Sequence, residues 1–332
     1  PGVSADARFV AFESNATNLV PGDTNNAPDI FVHDLATGKT SRVSVGTLGV
    51  QANGYSMRPA ISADGRFVVY ESGASNIVPN DTNRQFDIFE YDRLVDYTLR
   101  VSVDSNNAQA NDFSQWPSVS ADGRYVAFDS GASNLSSTPD TNGVVDVFVH
   151  DRYTWQTERV SVSANGAQGD SVSRYSRISA DGNHVAFESL ASNLAPGDTN
   201  DEFDQYVVNR QTHAVNRVNL LPGGEQDRIG SGAQIRPEMS ADGRYVLWDS
   251  GEYHLVPQDD NSSFDVFVRD VDTATTSRAS VTSDGTELKY GAVSGAISGD
   301  GKHVAFSSSS PTLMPGGDES LLRLNVFIRD LG

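Results

Sequence analysis

A short string occurs six times along this chain, and this repeat constrains the fold more than any other feature of the sequence. The string reads "SADGR" or a close variant, and successive copies begin 58 to 61 residues apart. Their first residues are Ser4, Ser62, Ser120, Ser179, Ser240 and Ser298. A period of this length is typical of repeat architectures, in which one unit cannot bury its apolar face alone and packs against its neighbours. We therefore expect the 332 residues to form one array of six similar units.

Each unit contains the pattern of four short β-strands. The repeated string leads into a strand such as "RFVVYES", which is followed by a loop, a second strand such as "FDIFEYD" and a third such as "LRVSV". A link rich in glycine and asparagine then leads to a short strand ending in "RPAIS". These runs are dense in β-branched and aromatic residues, which favours strands over helices. The Asp64-Gly65 pair predicts a tight turn with positive backbone angles, and Ala7 in place of that glycine predicts a different turn in the first unit.

Six four-stranded antiparallel units bury their faces when they are arranged as blades around an axis. The predicted fold class is all-β, a six-bladed β-propeller that forms a single domain. The predicted blades cover about 1–58, 59–116, 117–175, 176–236, 237–294 and 295–332. The last blade ends with its third strand, "NVFIRDLG", so it lacks the outer strand. Either that blade has three strands or a further segment or partner chain covers its open edge, and we expect these residues to be a piece of a larger polypeptide.

The repeat resembles that of the TolB-like propellers. "SADGRYVAFDS" followed by "DVFVHDR" and "ERVSV" has the order of that family's repeat: a turn, an apolar strand, a strand that ends in Asp, and a closing strand. The resemblance covers the whole chain, although Ala or Gly replaces the family's proline and the Asp-Thr-Asn loop lengthens each unit. It implies the propeller fold and a periplasmic module that docks proteins at the mouth of the central channel. It assigns no partner-specific residue.

Charge and composition argue against several classes of function. The chain has 44 Asp and Glu against 24 Lys and Arg, and its net charge of −20 disfavours nucleic acid and anionic membranes as partners. The absence of cysteine excludes disulfides, thiolate metal sites and cysteine nucleophiles. No run of 18 apolar residues predicts a membrane span.

Five units share an acidic loop in which Asp-x-Asn is followed, four residues after the Asn, by a second Asp. Ca²⁺ binds about six to eight oxygens, and alternate residues of a turn can direct carboxylate and amide oxygens inward. The candidate calcium ligands are Asp23, Asn25, Asp29, Asp81, Asn83, Asp87, Asp140, Asn142, Asp146, Asp198, Asn200, Asp204, Asp259, Asn261 and Asp265. The alternative is that these side chains bind the backbone of their own turn. The sequence leaves both interpretations open.

Catalytic signatures are scarce in this sequence. None of the six histidines has the spacing of a metal motif such as "HExxH", and no "GxSxG" elbow or glycine-rich phosphate loop occurs. His33 and His150 share one position of the repeat. The other units have Tyr91, Val208, Arg269 and Arg329 there. A position that varies so widely predicts a solvated strand face rather than a ligand.

Ligand contacts in a propeller are expected near the innermost strands and the loops that lead into them. Two positions there depart from the repeat, one just before the inner strand and one three residues earlier. The candidate ligand-binding residues are Arg58, Trp116, Tyr175, Arg236, Tyr55 and Phe113. Aromatic and guanidinium groups suit a sugar face, a carboxylate or a peptide, and the alternative is that they pack between blades. The long link of residues 219–237 is a further candidate for a functional loop.

Two functions remain open from the sequence. We favour a non-catalytic binding or scaffold propeller in an extracytoplasmic setting, with Ca²⁺ as a candidate stabilising ion and a protein or glycan as partner. The alternative is a carbohydrate-active enzyme, a lyase or hydrolase, with its site in the central channel. A cluster of perturbed titratable residues in one deep pocket would support the enzyme, and a shallow mouth without such a cluster would support binding.

Overall fold

The repeated unit forms an antiparallel sheet in a computed structural model of the chain, which describes residues 1–226, 236–313 and 323–332. The strands of each sheet stand in sequence order, so every hairpin joins direct neighbours. Strands Phe67–Ser72 and Asp87–Asp92 are buried at every position, which explains why these runs are apolar on both faces. The predicted fold class is confirmed: the chain is an all-β, six-bladed β-propeller, and its last blade has three strands among the described residues.

The chain divides into two units, of which the first contains blades one to three and comprises Pro1–Ser161 and Ala180–Gly182. Blade one consists of β1 (Gly2–Val3), β2 (Phe9–Ser14), β3 (Asp29–Asp34) and β4 (Lys39–Arg42). Blade two consists of β5 (Ser56–Ile61), β6 (Phe67–Ser72), β7 (Asp87–Asp92) and β8 (Tyr97–Arg100). Blade three consists of β9 (Ser114–Val119), β10 (Tyr125–Ser130), β11 (Asp146–Asp151) and β12 (Gln156–Arg159).

The second unit contains blades four to six and comprises Val162–Ser179 and Asn183–Gly332. Blade four consists of β13 (Ser173–Ile178), β14 (His184–Ser189), β15 (Asp204–Asn209) and β16 (Val215–Arg217). Blade five consists of β17 (Glu238–Met239), β18 (Tyr245–Ser250), β19 (Asp265–Asp270) and β20 (Thr275–Arg278). Blade six consists of β21 (Val293–Ile297), β22 (His303–Ser308) and β23 (Asn325–Asp330).

Helical structure among the described residues is limited to short turns. Thr47–Gly49 and Pro311–Leu313 form 3-10 turns. In the part of the chain that the structure describes, no helix is long and apolar enough to cross a membrane.

The first strands of neighbouring blades contact one another within each unit. In the first unit β1 contacts β5 and β5 contacts β9, and in the second unit β13 contacts β17 and β17 contacts β21. The first strand is therefore the inner strand of its blade, as the sequence predicted, and the fourth strand is the outer one.

The turn between the first and second strands differs from the prediction in detail. Gly65 has a φ of +73°, and its N–H donates to the carbonyl of Ser62 at 2.9 Å, whereas Asp64 has no positive φ. The first unit forms the same turn: Ala7 adopts a φ of 56°, and its N–H donates to the carbonyl of Ser4 at 2.9 Å. The predicted difference at Ala7 is therefore wrong, because alanine here accepts a left-handed conformation that glycine adopts at less cost.

The glycine of this turn also fits against the neighbouring blade. A Cβ built on Gly65 would lie 2.2 Å from the ring of Phe9, and one built on Gly123 would lie 2.0 Å from the ring of Phe67. Each aromatic residue is the first of the second strand in the preceding blade. The glycine is thus required by the contact between blades as well as by the turn.

The variable third-strand position of His33 and His150 is more buried than predicted. His150 is fully buried, and its Nδ1 lies 2.9 Å from Oγ1 of Thr157 on β12. This burial lowers the pKa of His150 to about 4. His33 is half-buried, and its Nδ1 is the same distance from Oγ1 of Thr40. The prediction of a solvated face is therefore wrong for His150, which packs beneath the outer strand.

Candidate functional site

Three of the predicted ligand-binding residues lie in a β-bulge of the first strand. The pairing of β5 with β6 shifts register between Met57 and Ala60, and β9 and β13 have equivalent shifts. The bulged residue has a left-handed backbone, with φ of 54° at Arg58, 57° at Trp116 and 60° at Tyr175. A bulge re-aims a side chain, so these residues leave the regular alternation of the sheet.

A carboxylate of the preceding blade holds the bulge in place in blades two, three and six. The backbone N–H of Arg58 donates to Glu13 Oε2 at 3.2 Å, and that of Trp116 donates to Glu71 Oε2 at 2.9 Å. In the second unit, the N–H of Ser294 donates to Asp249 Oδ2 at 2.7 Å. These carboxylates were not predicted, although an acidic residue recurs in an otherwise apolar strand. The recurring residues are Glu13, Glu71, Asp129, Glu188 and Asp249.

Arg58, Trp116 and Glu71 form one cluster in the first unit. The guanidinium carbon of Arg58 lies 3.9 Å from the centroid of the Trp116 ring, which is a cation–π geometry. Arg58 Nη1 also pairs with Glu71 Oε1. Burial raises the pKa of Glu71, and the N–H of Trp116 and the charge of Arg58 act in the opposite direction. Arg58 and Trp116 are half-buried, so part of this stack, which we call the Arg58–Trp116 pair, is accessible.

The predicted residues of the second unit are arranged differently. The guanidinium of Arg174 lies 4.8 Å from the centroid of the Tyr175 ring, and Arg174 Nε donates to Glu188 Oε1 at 2.6 Å. Arg236 Nε donates to the backbone carbonyl of Ser176 at 2.8 Å, which ties Arg236 to the first strand of blade four. Arg174 was not predicted, because it stands one position before the residue that varies. Of the long link that the sequence singled out, residues 227–235 lie outside the described residues.

Tyr55 and Phe113 lie just before the first strand, three residues ahead of the bulge. The carbonyl of Tyr55 accepts a hydrogen bond from Ser72 Oγ at 2.9 Å, and that of Phe113 accepts one from Ser130 Oγ at 2.7 Å. Their backbones therefore fix the end of the second strand. The Tyr55 side chain is exposed.

Donor side chains surround the carboxylates of the acidic loop in blade one. Gln51 Nε2 donates to Asp23 Oδ1 at 2.9 Å and to Asp29 Oδ2 at 3.0 Å. Asn25 Nδ2 donates to Asp29 Oδ2 at 3.1 Å, and Arg42 Nη1 lies 3.5 Å from the same oxygen. The equivalents of Gln51 in the next three blades are Gln109, Gln168 and Gln226. These contacts explain the recurrence of the loop by hydrogen bonding, and calcium at these loops stays a prediction.

Blade five departs from this arrangement because Glu287 replaces the glutamine. Asp259, Asp265 and Glu287 each bring one carboxylate oxygen within 4.8 Å of the others, and among the described residues this is the group that could hold a metal ion. Arg278 Nη1 lies 2.6 Å from Glu287 Oε1 and 3.1 Å from Asp259 Oδ1. Burial raises the pKa of Asp259 to about 7, and the two neighbouring carboxylates add to this rise against the charge of Arg278. Three carboxylates thus share one guanidinium.

Several proteins of known structure are similar to this chain in structure. No model of a known protein family matches the sequence, and no curated protein does. The chain is similar to the oligogalacturonate lyase of Vibrio parahaemolyticus, with 12% identity, 99% of this chain and 76% of that chain covered, and a TM-score of 0.55. It is also similar to the β-propeller domain of the Trilobed protease from Pyrococcus furiosus, with 11% identity, 99% and 81% covered, and a TM-score of 0.54.

TolB from Acinetobacter baumannii is a further match, at 17% identity and a TM-score of 0.49. The match covers 83% of this chain and 52% of that one, so it spans about half the length of that TolB. The likeness is one of fold. The propeller fold that the resemblance to the TolB-like repeat implies is confirmed by the six sheets and by the two propeller matches above. Identities between 11% and 17% transfer no activity or partner.

Proposed function

We propose that this chain is a non-catalytic, extracytoplasmic binding propeller, and that a protein or glycan contacts it at the Arg58–Trp116 pair. The observation that carries the proposal is the half-buried guanidinium stacked 3.9 Å from the Trp116 ring. An aromatic face beside a cation is a combination that anchors peptides, carboxylates and sugars. The proposal includes four additional ligand contacts: Tyr55 and Phe113 in the first unit, and Tyr175 and Arg236 in the second.

The carboxylate beside the pair supports binding rather than catalysis. Glu71 is 1% exposed, and its two oxygens accept the N–H of Trp116 and the guanidinium of Arg58. A carboxylate engaged in this way holds the bulge, whereas a general acid or base must reach its substrate. Grooves of about 470, 290 and 230 Å³ have no first-strand residue among the described residues that line them. In the described part of the chain, none of these three grooves is therefore lined by the first strands, where the buried acids hold the bulges.

The alternative is a carbohydrate-active enzyme, a lyase or hydrolase, and Asp249 is the observation in its favour. Its side chain is fully buried, burial raises its pKa to about 6, and Oδ1 has no hydrogen-bond partner among the described residues. A lyase would create a conjugated double bond that ultraviolet absorbance detects, and a hydrolase would release reducing ends. If the unaltered protein has either activity and Asp249→Asn lacks it, the alternative is established.

Site-specific cross-linking tests the binding proposal. A photoreactive amino acid at position 116 should trap the partner, and the same group at position 35, in the exposed β3–β4 turn of blade one, should not. The purified partner should then bind Trp116→Ser at least about tenfold more weakly than the unaltered protein, because truncating a buried aromatic anchor typically costs more than 1 kcal/mol. Serine is a suitable replacement because Ser294 occupies the same bulge at φ 59° in blade six. Equal affinity of the two proteins would refute the proposal.

Calcium belongs to the same proposal, and we place it at Asp259, Asp265 and Glu287 of blade five. Their three carboxylates supply the hard oxygen ligands that Ca²⁺ prefers, and backbone carbonyls or water would complete the shell. In blades one, two and four a glutamine amide donates to the equivalent carboxylates instead. Extracellular calcium-binding modules have dissociation constants of about 10⁻⁴ to 10⁻³ M, and a site of that affinity would accord with an extracytoplasmic setting.

The variant Glu287→Gln is expected to remove the calcium response and to reduce a pH dependence of stability. Asp259 binds a proton more tightly in the folded state, with a pKa of about 7, than in the unfolded chain, so the free energy of unfolding should fall as pH rises from about 4 to 7. The amide of glutamine donates to Asp259 and Asp265 as in the other blades, so this fall should be smaller in the variant. Thermal unfolding at several pH values measures it.

Calcium should raise the unfolding temperature of the unaltered protein at pH 7.5, and magnesium should raise it less, because ligand binding to the folded state adds stability by mass action. Glu287→Gln should show little response to either ion. If calcium raised the unfolding temperature of both proteins equally, the calcium site would lie outside the blade-five cluster. The absence of a response in both would leave the cluster as a proton-binding group.

A further inference from the structure

A groove of about 470 Å³ lies at the outer edge of blade two, and we call it the outer groove. Its walls are the outer strand β8, the end of the acidic loop at residues 78–82, and the link at residues 103–109. Tyr97 and Trp155, which is in the β11–β12 turn of blade three, also line it. All of these residues belong to the first unit.

Four side chains of the outer groove depart from the repeat. They are Asn80, Tyr97, Asn107 and Trp155. The equivalents of Asn107 in the other four described links are all glycine, namely Gly49, Gly166, Gly224 and Gly285. The equivalents of Asn80 include Gly22 and Gly197, and those of Tyr97 and Trp155 include Ala214 and Ala274. The groove at blade two thus has two amides and two aromatic rings where blade four and its neighbour have glycine or alanine, namely Gly197, Gly224, Ala214 and Ala274.

Three of these four residues have a left-handed backbone. The φ angles are 60° at Asn80, 65° at Asn107 and 58° at Trp155. Asparagine tolerates this conformation, and the β-hairpin turn gives the residue at the position of Trp155 a left-handed backbone in other blades as well, as at His213 and Ala274. The Trp155 ring makes an edge contact with the ring of buried His150 at a centroid distance of 5.8 Å, and 43% of the residue is exposed. The fold therefore orients a large aromatic ring that it does not bury.

Blade four has the corresponding groove without these groups. That groove measures about 290 Å³, and its lining has Pro196, Gly224 and Ala274 at the positions of Pro79, Asn107 and Trp155. No aromatic residue occurs among the described residues that line it. A groove at this place is therefore a consequence of the fold, whereas its two aromatic rings have no counterpart among the described residues that line the groove of blade four.

We propose that the outer groove binds a neutral carbohydrate chain, separately from any ligand of the Arg58–Trp116 pair. The apolar faces of sugar rings stack on Trp155 and Tyr97, which are both accessible. The side-chain amides of Asn80 and Asn107 each offer donors and an acceptor to sugar hydroxyls, and within the described residues neither amide makes another hydrogen bond.

The charge of the groove selects a neutral chain over an acidic one. Arg100 is the cationic residue among the described residues of the lining, and its Nε lies 3.7 Å from buried Asp87. The whole chain carries a net charge of −20, which repels polyanions. A polyuronate would therefore meet no unpaired cation in this groove.

Titration with xylohexaose, cellohexaose, maltohexaose and mannohexaose, one at a time, tests the proposal by calorimetry and tryptophan fluorescence. At least one should bind at millimolar or lower concentration and change the fluorescence, since Trp155 is exposed while Trp248 is buried. Trp155→Ala and Tyr97→Ala should each weaken binding about tenfold. Both variants should fold, because Ala274 and Ala214 occupy these positions in other blades.

Trp116→Ser is the matched control and should bind the same oligosaccharide as the unaltered protein does. The proposal would be overturned if none of the four sugars bound, or if Trp155→Ala and Tyr97→Ala bound the sugar as tightly as the unaltered protein does. A sugar whose binding is lost in Trp116→Ser instead would belong to the first-strand site. A proline-rich peptide that binds through Trp155 when no sugar does would make the groove a peptide site.

Discussion

Replacing Gly123 with alanine should lower the free energy of unfolding by about 2–4 kcal/mol. Alanine at a φ of +73° costs about 1 kcal/mol, and the new Cβ would lie 2.0 Å from the ring of Phe67, where overpacking typically costs a further 1–3 kcal/mol. The ring cannot easily move, because Phe67 is 3% exposed and the guanidinium of Arg152 lies 4.0 Å from its centroid. Equilibrium unfolding in urea measures the change.

Gly143→Ala is the matched control for this substitution. Gly143 has a φ of +65°, and a Cβ there would meet no atom within 4 Å, so its replacement should cost about 1 kcal/mol from the backbone alone. Ala7→Gly should raise the free energy of unfolding, because Ala7 has a φ of 56° in the turn of blade one that corresponds to the turn of Gly123. Equal losses in Gly123→Ala and Gly143→Ala would show that contact with the preceding blade is not what requires the glycine.

Asp87→Ala should destabilise the protein by about 3–5 kcal/mol, the typical cost of removing one partner from a buried ion pair. Asp87 is fully buried, and it accepts hydrogen bonds from Ser102 Oγ at 2.6 Å and from Gln109 Nε2 at 3.1 Å. Arg100 Nε lies 3.7 Å away, and the Arg100 side chain is 7% exposed, so the substitution leaves a guanidinium buried without this carboxylate.

Asp81→Ala, in the same loop, provides the comparison. Asp81 is half-buried and accepts Gln109 Nε2 at 3.0 Å, so its loss should cost about 1 kcal/mol, the usual net value of one hydrogen bond. Urea unfolding of both variants distinguishes the two roles. If the two substitutions cost the same, the second Asp of the loop would not be the centre of the network.

The sequence was sufficient to predict the fold because the repeat constrains local and global structure together. A pattern such as "RFVVYES" specifies a strand buried on both faces, and six copies at a fixed period leave few ways to bury those faces. The order of strands in each blade and the three-stranded last blade follow from the same pattern. The acidic loops were also found from sequence, but not their partners, because Gln51 lies 22 residues after Asp29 along the chain.

The candidate site could be predicted only in part. Arg58 and Trp116 were singled out because they vary within a constant framework, yet their stacking depends on a bulge that sequence alone does not reveal. The carboxylates that hold the bulges escaped prediction because each lies in one blade and acts on the next, as Glu71 does on Trp116. Contacts between blades have no fixed sequence spacing that a local pattern can report.

The sequence by itself determined the number of blades, their strands and the turns between them, since these depend on local conformational preference and on a repeated apolar pattern. Tertiary structure alone decided which side chains meet. It placed Gly123 against Phe67, gave the carboxylates of the acidic loops their amide and guanidinium partners, and put Tyr97 and Trp155 of different blades on one groove. The physical reason is that packing between blades joins residues far apart in the chain, and their distance and orientation depend on the whole fold.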